Sequence, residues 1–360
     1  MKTGHLDSPS AVPWLLDLDL GALRRRSGDL SHFARASLVS VEDGPQRGAR
    51  QLQMSNACGL NLEIEVDRAC DIGRVQYNGV PVGWTSPSGL QHPAPAPEAE
   101  NGLGLMRSFS GFLVTCGLDH IGAPSVADAS SFGYPLRKSL VHPLHGRISA
   151  APSRVLGWGV DWNPERPVLW CDALIRQAAV FGEALELRRR IEVDVVEPTI
   201  SVRDLVRNVS FRPSKHQILY HVNMGYPLLS RNSKLHLETA VDHQILGHDD
   251  PRDECSESVE QFSVRSDAGG WGHALLHNPD IGLAAHLAFD RSTLPGFARW
   301  CAAEPGTYVT GLEPHSVGQA ANSAEPHSTG VLLPMQSARY QFAVRLLGDE
   351  RTRDMLRGSG

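Results

Sequence analysis

The sequence predicts an all-β fold with antiparallel strands closed into a sandwich or barrel, and three observations carry that prediction. Most of the chain reads as short runs in which apolar and polar residues alternate, separated by Gly, Pro, Asn and Asp. Two of these runs meet at explicit hairpin turns. Helical spacing of apolar residues is scarce.

Taken in order, Ala22–Phe33 (ALRRRSGDLSHF) predicts a short helix or an irregular edge, broken at Gly28. Strands follow in ARQLQMSNACGLNLEIEVD and DIGRVQYNGVPVGW. In the second, Asn78-Gly79 sits between alternating runs, as a two-residue type I′ turn requires, because both central residues need positive φ. Trp84–Asn101 (WTSPSGLQHPAPAPEAEN) reads as a surface loop with polyproline-like extension, bordering a cleft or a subunit contact. A longer hairpin turns at Phe181-Gly182-Glu183 and continues as a meander through TISVRDLVRNVS. QILYHVNM, GLAAHLAFD and ARYQFAVRLL supply later strands. Nothing repeats at a fixed period, which disfavours solenoids and propellers. One large domain over 46–350 is expected, with an N-terminal extension over 1–45 packed on it.

The 360 residues carry a formal charge of -6 with 21% charged side chains, an ordinary surface without the basic stripe that phosphate-backbone binding needs. Nucleic acid is therefore not an expected partner. Apolar runs such as LLDLDL and VLLPM fall far short of the ~20 residues of a spanning helix, so no membrane partner is expected. The first residues lack the pattern of a secretory leader, and a cytoplasmic location is expected. Six scattered cysteines without a CxxC read as buried free thiols.

Phosphate-loop, HExxH and GxSxG patterns do not occur, so no cofactor is expected. Five polar clusters in apolar or glycine-rich surroundings remain. DRACDIGRV holds Asp67, Arg68, Asp71 and Arg74, which form either an ion-pair network at a strand end or part of a site. MRSFSGFLVTCGLDHIGAP brings Arg107, Asp119 and His120, placed to suit a cleft rim. VHPLHGRIS holds His142 and His145 at HxxH spacing beside Arg147. Pro143 and Gly146 argue against the helix that would put both imidazoles on one metal, so no metal site is assigned. YHVNMGYP places His221 and Asn223 on one strand face, either as a satisfied buried pair or as a ligand contact. GTYVTGLEPHS places Glu313 between a strand and Pro314, either capping a turn or acting in chemistry.

DRACDIGR, TCGLDHIGAP, LHGRI and YHVNMGYPLL, in that order and spacing, resemble the aldose 1-epimerase (galactose mutarotase) superfamily and its uncharacterised bacterial branch. The resemblance runs from about Gly44 to Leu347. It implies a β-supersandwich of two large antiparallel sheets, with sugar bound on an aromatic-lined concave face. It further implies that His221 is a general acid, Glu313 a general base, and His145 the histidine of the LHGG motif. Arg107 is a loose counterpart of the sugar-binding arginine, and Arg299 and Trp300 occupy about the interval of the substrate-binding aspartate. The sequence around the strand histidine departs from the NHSYFNL pattern of mutarotases, so the acid–base pair is better supported than the identity of the sugar.

Anomer exchange needs the C1 hydroxyl deprotonated while the ring oxygen is protonated, work for a carboxylate and an imidazole placed on opposite sides of one ring. The expectation is thus a cofactor-independent carbohydrate epimerase with catalytic His221 and Glu313. Its substrate contacts would be His145, Arg147, Arg107, Asp71, Arg74, Asp119, Asn223, Arg299 and Trp300. The arginines in or near the motifs point to an anionic or oxidised sugar. Two alternatives are a sugar-binding module without turnover and an isomerase or lyase acting beside the carbonyl of an oxidised sugar, for which His142 and His145 could hold a metal. A small carbohydrate is the expected partner, and a homodimer is compatible with the sequence.

Overall fold

The computed structural model describes residues 20–129, 138–163, 166–254, 257–318 and 330–358. Two antiparallel sheets dominate them. The first has ten strands, running in space from Ala34–Ser40 through Arg50–Asn56, Leu60–Glu65, Asp71–Tyr77, Leu113–Leu118, Gln217–Gly225, Thr307–His315 and Gly296–Glu304 to Ser258–Phe262. Val80–Pro81 pairs on the side with Asp71–Tyr77. The second has nine strands, from His243–Leu246 through Lys234–Glu238, Trp271–Asn278, Leu283–Asp290, Ser337–Gly348, Thr199–Asn208, Ala184–Asp194 and Val168–Ala178 to Ser153–Asp161. The fold is the antiparallel β-sandwich that the alternating runs and the family resemblance imply.

Local chemistry accounts for the turns. Asn78 and Gly79 both adopt positive φ, 51° and 80°, and join Tyr77 to Val80 in register, the type I′ hairpin the sequence predicts. Phe181, at φ 67°, turns the long hairpin between Val168–Ala178 and Ala184–Asp194. Among the described residues helix is confined to short pieces such as Leu20–Arg26, which ends at the Ser27-Gly28 break, and Asp349–Gly358 after the last strand. No helix among the described residues is long and apolar enough to cross a membrane. Ala34–Ser40 of the expected N-terminal extension is an edge strand of the first sheet, whereas residues 1–19 lie outside the described residues. Cys58, Cys70, Cys116 and Cys171 are buried free thiols and Cys301 is half-buried; Cys255 lies outside the described residues.

The main apolar core fills the space between the sheets, with Leu52, Ile64, Ile72, Tyr220, Val222, Leu187, Val202 and Phe342 among its members. One charged group crosses it. Arg189 of the second sheet donates to Asp204 (2.7 and 3.0 Å), to Asp71 of the first sheet (2.9 Å) and to the Thr115 hydroxyl (2.8 Å). Thr115 in turn donates to Asp71 from its amide and its hydroxyl, and the Tyr220 hydroxyl donates to Asp204 at 2.7 Å. Asp71 thus belongs to a satisfied inter-sheet network. A smaller cluster on the outer face of the first sheet contains Trp84, Leu105, Phe109, Val114, Leu219 and Trp300, and it positions the site.

Candidate active site

Along Gln217–Gly225, Ile218, Tyr220, Val222 and Met224 enter the inter-sheet core, so His221 and Asn223 point outward. The neighbouring strand pairs Leu312 with Val222 and Gly311 with Asn223, which sets Glu313 beside His221. His221 Nε2 lies 2.9 Å from Glu313 Oε1. On the other side of the ring, His221 Nδ1 meets the Asn223 side-chain oxygen, while the Asn223 amide nitrogen donates to the Gly111 carbonyl at 3.1 Å. That donation fixes the Asn223 amide, so its oxygen faces the imidazole and Nδ1 carries a proton. The three side chains are 2%, 4% and 0% exposed, leaving little water to compete with these bonds.

Burial pushes the Glu313 carboxyl up, but the electrostatic attraction and hydrogen bond of His221 lead the interactions that outweigh it and hold the group below the usual carboxylate range. With Glu313 ionised, the 2.9 Å contact is that of an Nε2–H donating to the carboxylate. Aromatic rings surround the imidazole: Phe109, Trp300 and His145 have centroids 4.9, 5.2 and 5.9 Å from it, all edge-to-face. Gly311 makes room for the ring, since a Cβ there would stand 2.5 Å from His221 Cε1.

His145 comes from the LHGRI loop. Gly146 (φ 76°) is required there because a Cβ would lie 2.1 Å from the Gly117 carbonyl oxygen. His145 Nδ1 accepts the Gly122 amide at 3.3 Å. Burial, followed by the charge of His221, pushes its pKa down to about 4, so the ring is neutral at pH 7 and its one proton sits on Nε2.

The structure brings together His221, Glu313, Asn223, His145 and Trp300, and it places the other expected site residues elsewhere. Asp119, fully buried, accepts from Gln177 (2.6 Å) and Arg147 (3.2 Å) and contacts His142 at 3.1 Å, tying the LHGRI loop to the sheet. Arg147 also donates to Glu98 and to the Val141 carbonyl. Arg107 is exposed and bonded to Glu100, and Arg74 is exposed 3.8 Å from Glu63. Neighbouring strand residues face opposite ways, so Arg299 turns from the Trp300 side to Glu260 (3.3 Å) and the Gly247 carbonyl (2.7 Å). Among the described residues no three metal-ligating side chains converge. Phe109 and Gly311 complete the site without having been singled out in the sequence, although both lie inside quoted motifs.

A family model described as a domain of unknown function, DUF4432, matches residues 46–346. The chain belongs to this DUF4432 family. Several solved structures share the fold of this family member. A candidate aldose 1-epimerase from Klebsiella pneumoniae superposes with a TM-score of 0.77 at 21% identity, over 89% of this chain and 85% of that one. A galactose mutarotase-like protein from Clostridium acetobutylicum gives 0.58 at 12%, over 88% and 98%. The galactose 1-epimerase of Lactobacillus acidophilus gives 0.55 at 13%, over 87% and 99%. No curated protein matches the sequence. At these identities the likeness is one of fold, and the galactose mutarotase-like sandwich is the architecture of this DUF4432 protein.

Proposed function

We propose that this DUF4432 protein is a carbohydrate epimerase that interconverts the anomers of an aldose, with Glu313 as general base and His221 as general acid. The observation that carries the reading is the buried contact of 2.9 Å between His221 Nε2 and Glu313 Oε1. Ring opening of a hemiacetal involves two oxygens on one carbon, so the base and acid must stand beside each other rather than across the ring as the sequence alone suggested. A sugar entering between them exchanges their mutual hydrogen bond for two bonds to itself. Glu313 takes the C1 hydroxyl proton as the C1–ring oxygen bond breaks, and His221 delivers its Nε2 proton to that ring oxygen. The open-chain aldehyde rotates about C1–C2 and closes from the other face. The ring hydroxyl then returns its proton to His221, and Glu313 returns the other to the former carbonyl oxygen. Neutral His145 supplies an Nε2–H donor for the carbonyl oxygen while it bears partial charge.

Each of the two groups contributes about 10²–10⁴-fold by general acid–base action. In anomer-exchange NMR on a panel of neutral sugars, deoxysugars and uronates, His221→Ala and Glu313→Gln should each abolish catalysed exchange while circular dichroism stays native. Full activity in both variants would refute the assignment. Saturable binding without accelerated exchange in the unmodified protein would instead identify a sugar-binding module.

A further inference from the structure

On the same outer face of the first sheet as the acid–base pair, across the strands Asp71–Tyr77 and Leu113–Leu118 from it, lies a cavity of about 390 Å³, within the size range of small-molecule sites. Glu65, Gln46, Gln51, Gly73, Ser110 and Gly111 are among the residues that line it. Glu65 is 3% exposed, yet no cation bonds to its carboxylate. Its partners are two neutral amides, Gln51 Nε2 at 3.0 Å from Oε1 and 3.4 Å from Oε2, and Gln46 Nε2 at 2.9 Å from Oε2. An ionised carboxylate has about four acceptor positions, so at least about one remains. Gly73 is shaped to this group, because a Cβ there would stand 2.4 Å from Glu65 Oε1.

The cavity is joined laterally to the catalytic pair. Gly111 packs on Gly73, where a Gly111 Cβ would meet the Gly73 Cα at 3.3 Å, and its carbonyl accepts the Asn223 amide whose oxygen holds His221. The charged groups around Glu65 are Glu63 on its own strand, Asp43 from the preceding loop, the exposed Arg74 at 3.8 Å from Glu63, and Arg68 bonded to the Ser108 carbonyl. The lining thus sets three carboxylates, Asp43, Glu63 and Glu65, against one arginine, Arg74.

Resting on the anomer-exchange reading, we propose that this cavity receives the hydroxyl-bearing end of the sugar remote from its anomeric carbon. Glu65 accepts one or two of those hydroxyls, and the site admits neutral sugars while turning away sugar acids and sugar phosphates. Of the arginines that pointed to an anionic substrate in the sequence, Arg68, Arg107, Arg147 and Arg299 are hydrogen-bonded to protein carboxylates or carbonyls, and Arg74 faces the carboxylate of Glu63. A hydroxyl donating to an ionised carboxylate makes a stronger bond than one donating to a neutral amide. Burial, and next the charge of Glu63, raise Glu65 to about 7, so the acceptor is ionised at pH 8 and largely protonated at pH 6.

The test is calorimetric titration with D-galactose, D-glucose, D-xylose, D-galacturonate and D-glucose 6-phosphate at pH 8 and pH 6, on the full chain and on Glu65→Gln, an isosteric change checked by circular dichroism. At least one neutral sugar should bind saturably at pH 8, about tenfold or more weakly to the variant, with a smaller gap at pH 6, and both anionic sugars should bind less tightly than it. Equal affinities of the two proteins at pH 8, tighter binding of either anionic sugar, or no binding by any neutral sugar would each overturn the proposal. Anomer-exchange NMR on the same samples separates the two readings. Glu65-dependent binding without accelerated exchange removes the epimerase reading alone, whereas accelerated exchange with an unchanged KM in Glu65→Gln removes this inference alone.

Discussion

At the scale of single residues, the candidate site depends as much on what is missing as on what is present. Gly311 touches no substrate in the scheme above, but it is the floor on which the His221 ring rests: an added Cβ would lie 2.5 Å from Cε1, 2.8 Å from Nδ1 and 3.1 Å from Glu313 Oε1. Contacts under 3 Å must be relieved by movement, and the ring is the group free to move. Gly311→Ala should therefore lift the imidazole away from both Glu313 and Asn223 while suiting the strand backbone better than glycine does. Misplacement of a catalytic group by about 1 Å costs on the order of 10²-fold. The expected outcome is a fall in anomer-exchange rate of about that size in a protein whose circular dichroism spectrum stays native and whose melting temperature falls, because a buried carboxylate loses its partner, measured by NMR and by circular dichroism melts. An unchanged rate would show that the ring's position does not govern turnover.

At the scale of elements, the strand Gln217–Gly225 divides its labour between two faces. His221 and Asn223 serve the site, while Tyr220 on the opposite face donates to Asp204 and packs on Phe342 with ring centroids 4.7 Å apart. Tyr220→Phe removes one hydrogen bond to a buried carboxylate that keeps Arg189, so it should cost about 1–3 kcal/mol in urea denaturation and leave anomer exchange within about twofold of the unmodified rate. A rate loss as large as that of His221→Ala would sink this division. The same period of two made the fold legible, along with the same-face placement of His221 and Asn223, because alternation is a property of the sequence itself. It also places Arg299 and Trp300 on opposite faces, a consequence that naming both as substrate contacts overlooked. Asp71 could not be placed by counting, since Ala69 and Cys70 before it take φ of 52° and 53° and break the alternation. Nor could contact between His221 and Glu313 be read, because it depends on pairing Asn223 with Gly311, 88 positions apart in numbering, and only the folded sheet sets that register. The arginines were illegible for another reason: a long cationic side chain advertises its charge in the sequence but not its partner.

At the scale of the whole molecule, buried titratable groups on both sheets set opposing responses to acid. Four half-buried histidines are held neutral chiefly by desolvation, each with a smaller contribution from a neighbouring basic side chain. His145 (beside His221), His236 (beside His243) and His248 (beside Arg299) are pushed down to about 4, and His286 (beside His273) to about 3. In the unfolded chain a histidine takes its proton near pH 6.5. Between pH 6.5 and 4 the unfolded state therefore binds more protons at these positions, and stability falls as pH falls. Glu65 works the other way. Its folded pKa of about 7 lies above its unfolded value of 4.5, so the folded state holds the extra proton in that window and stability rises as pH falls from 7 to 4.5. Glu313, depressed in the folded state, contributes stability that is present above its unfolded value and is lost as pH falls through the lower folded one. His120 and His315 are pushed down by burial as well, and Asp71, like Glu65, is raised by it. The lowered histidines outnumber the raised carboxyls, which gives the sign of the sum: the melting temperature should decline from pH 7 toward pH 4, measured by scanning calorimetry at half-unit steps. Glu65→Gln should make the decline steeper by removing an opposing group, and His286→Gln should make it shallower. A melting temperature that rises on acidification to pH 5, or variants that shift the slope in the opposite directions, would show that these groups do not carry the charges assigned to them.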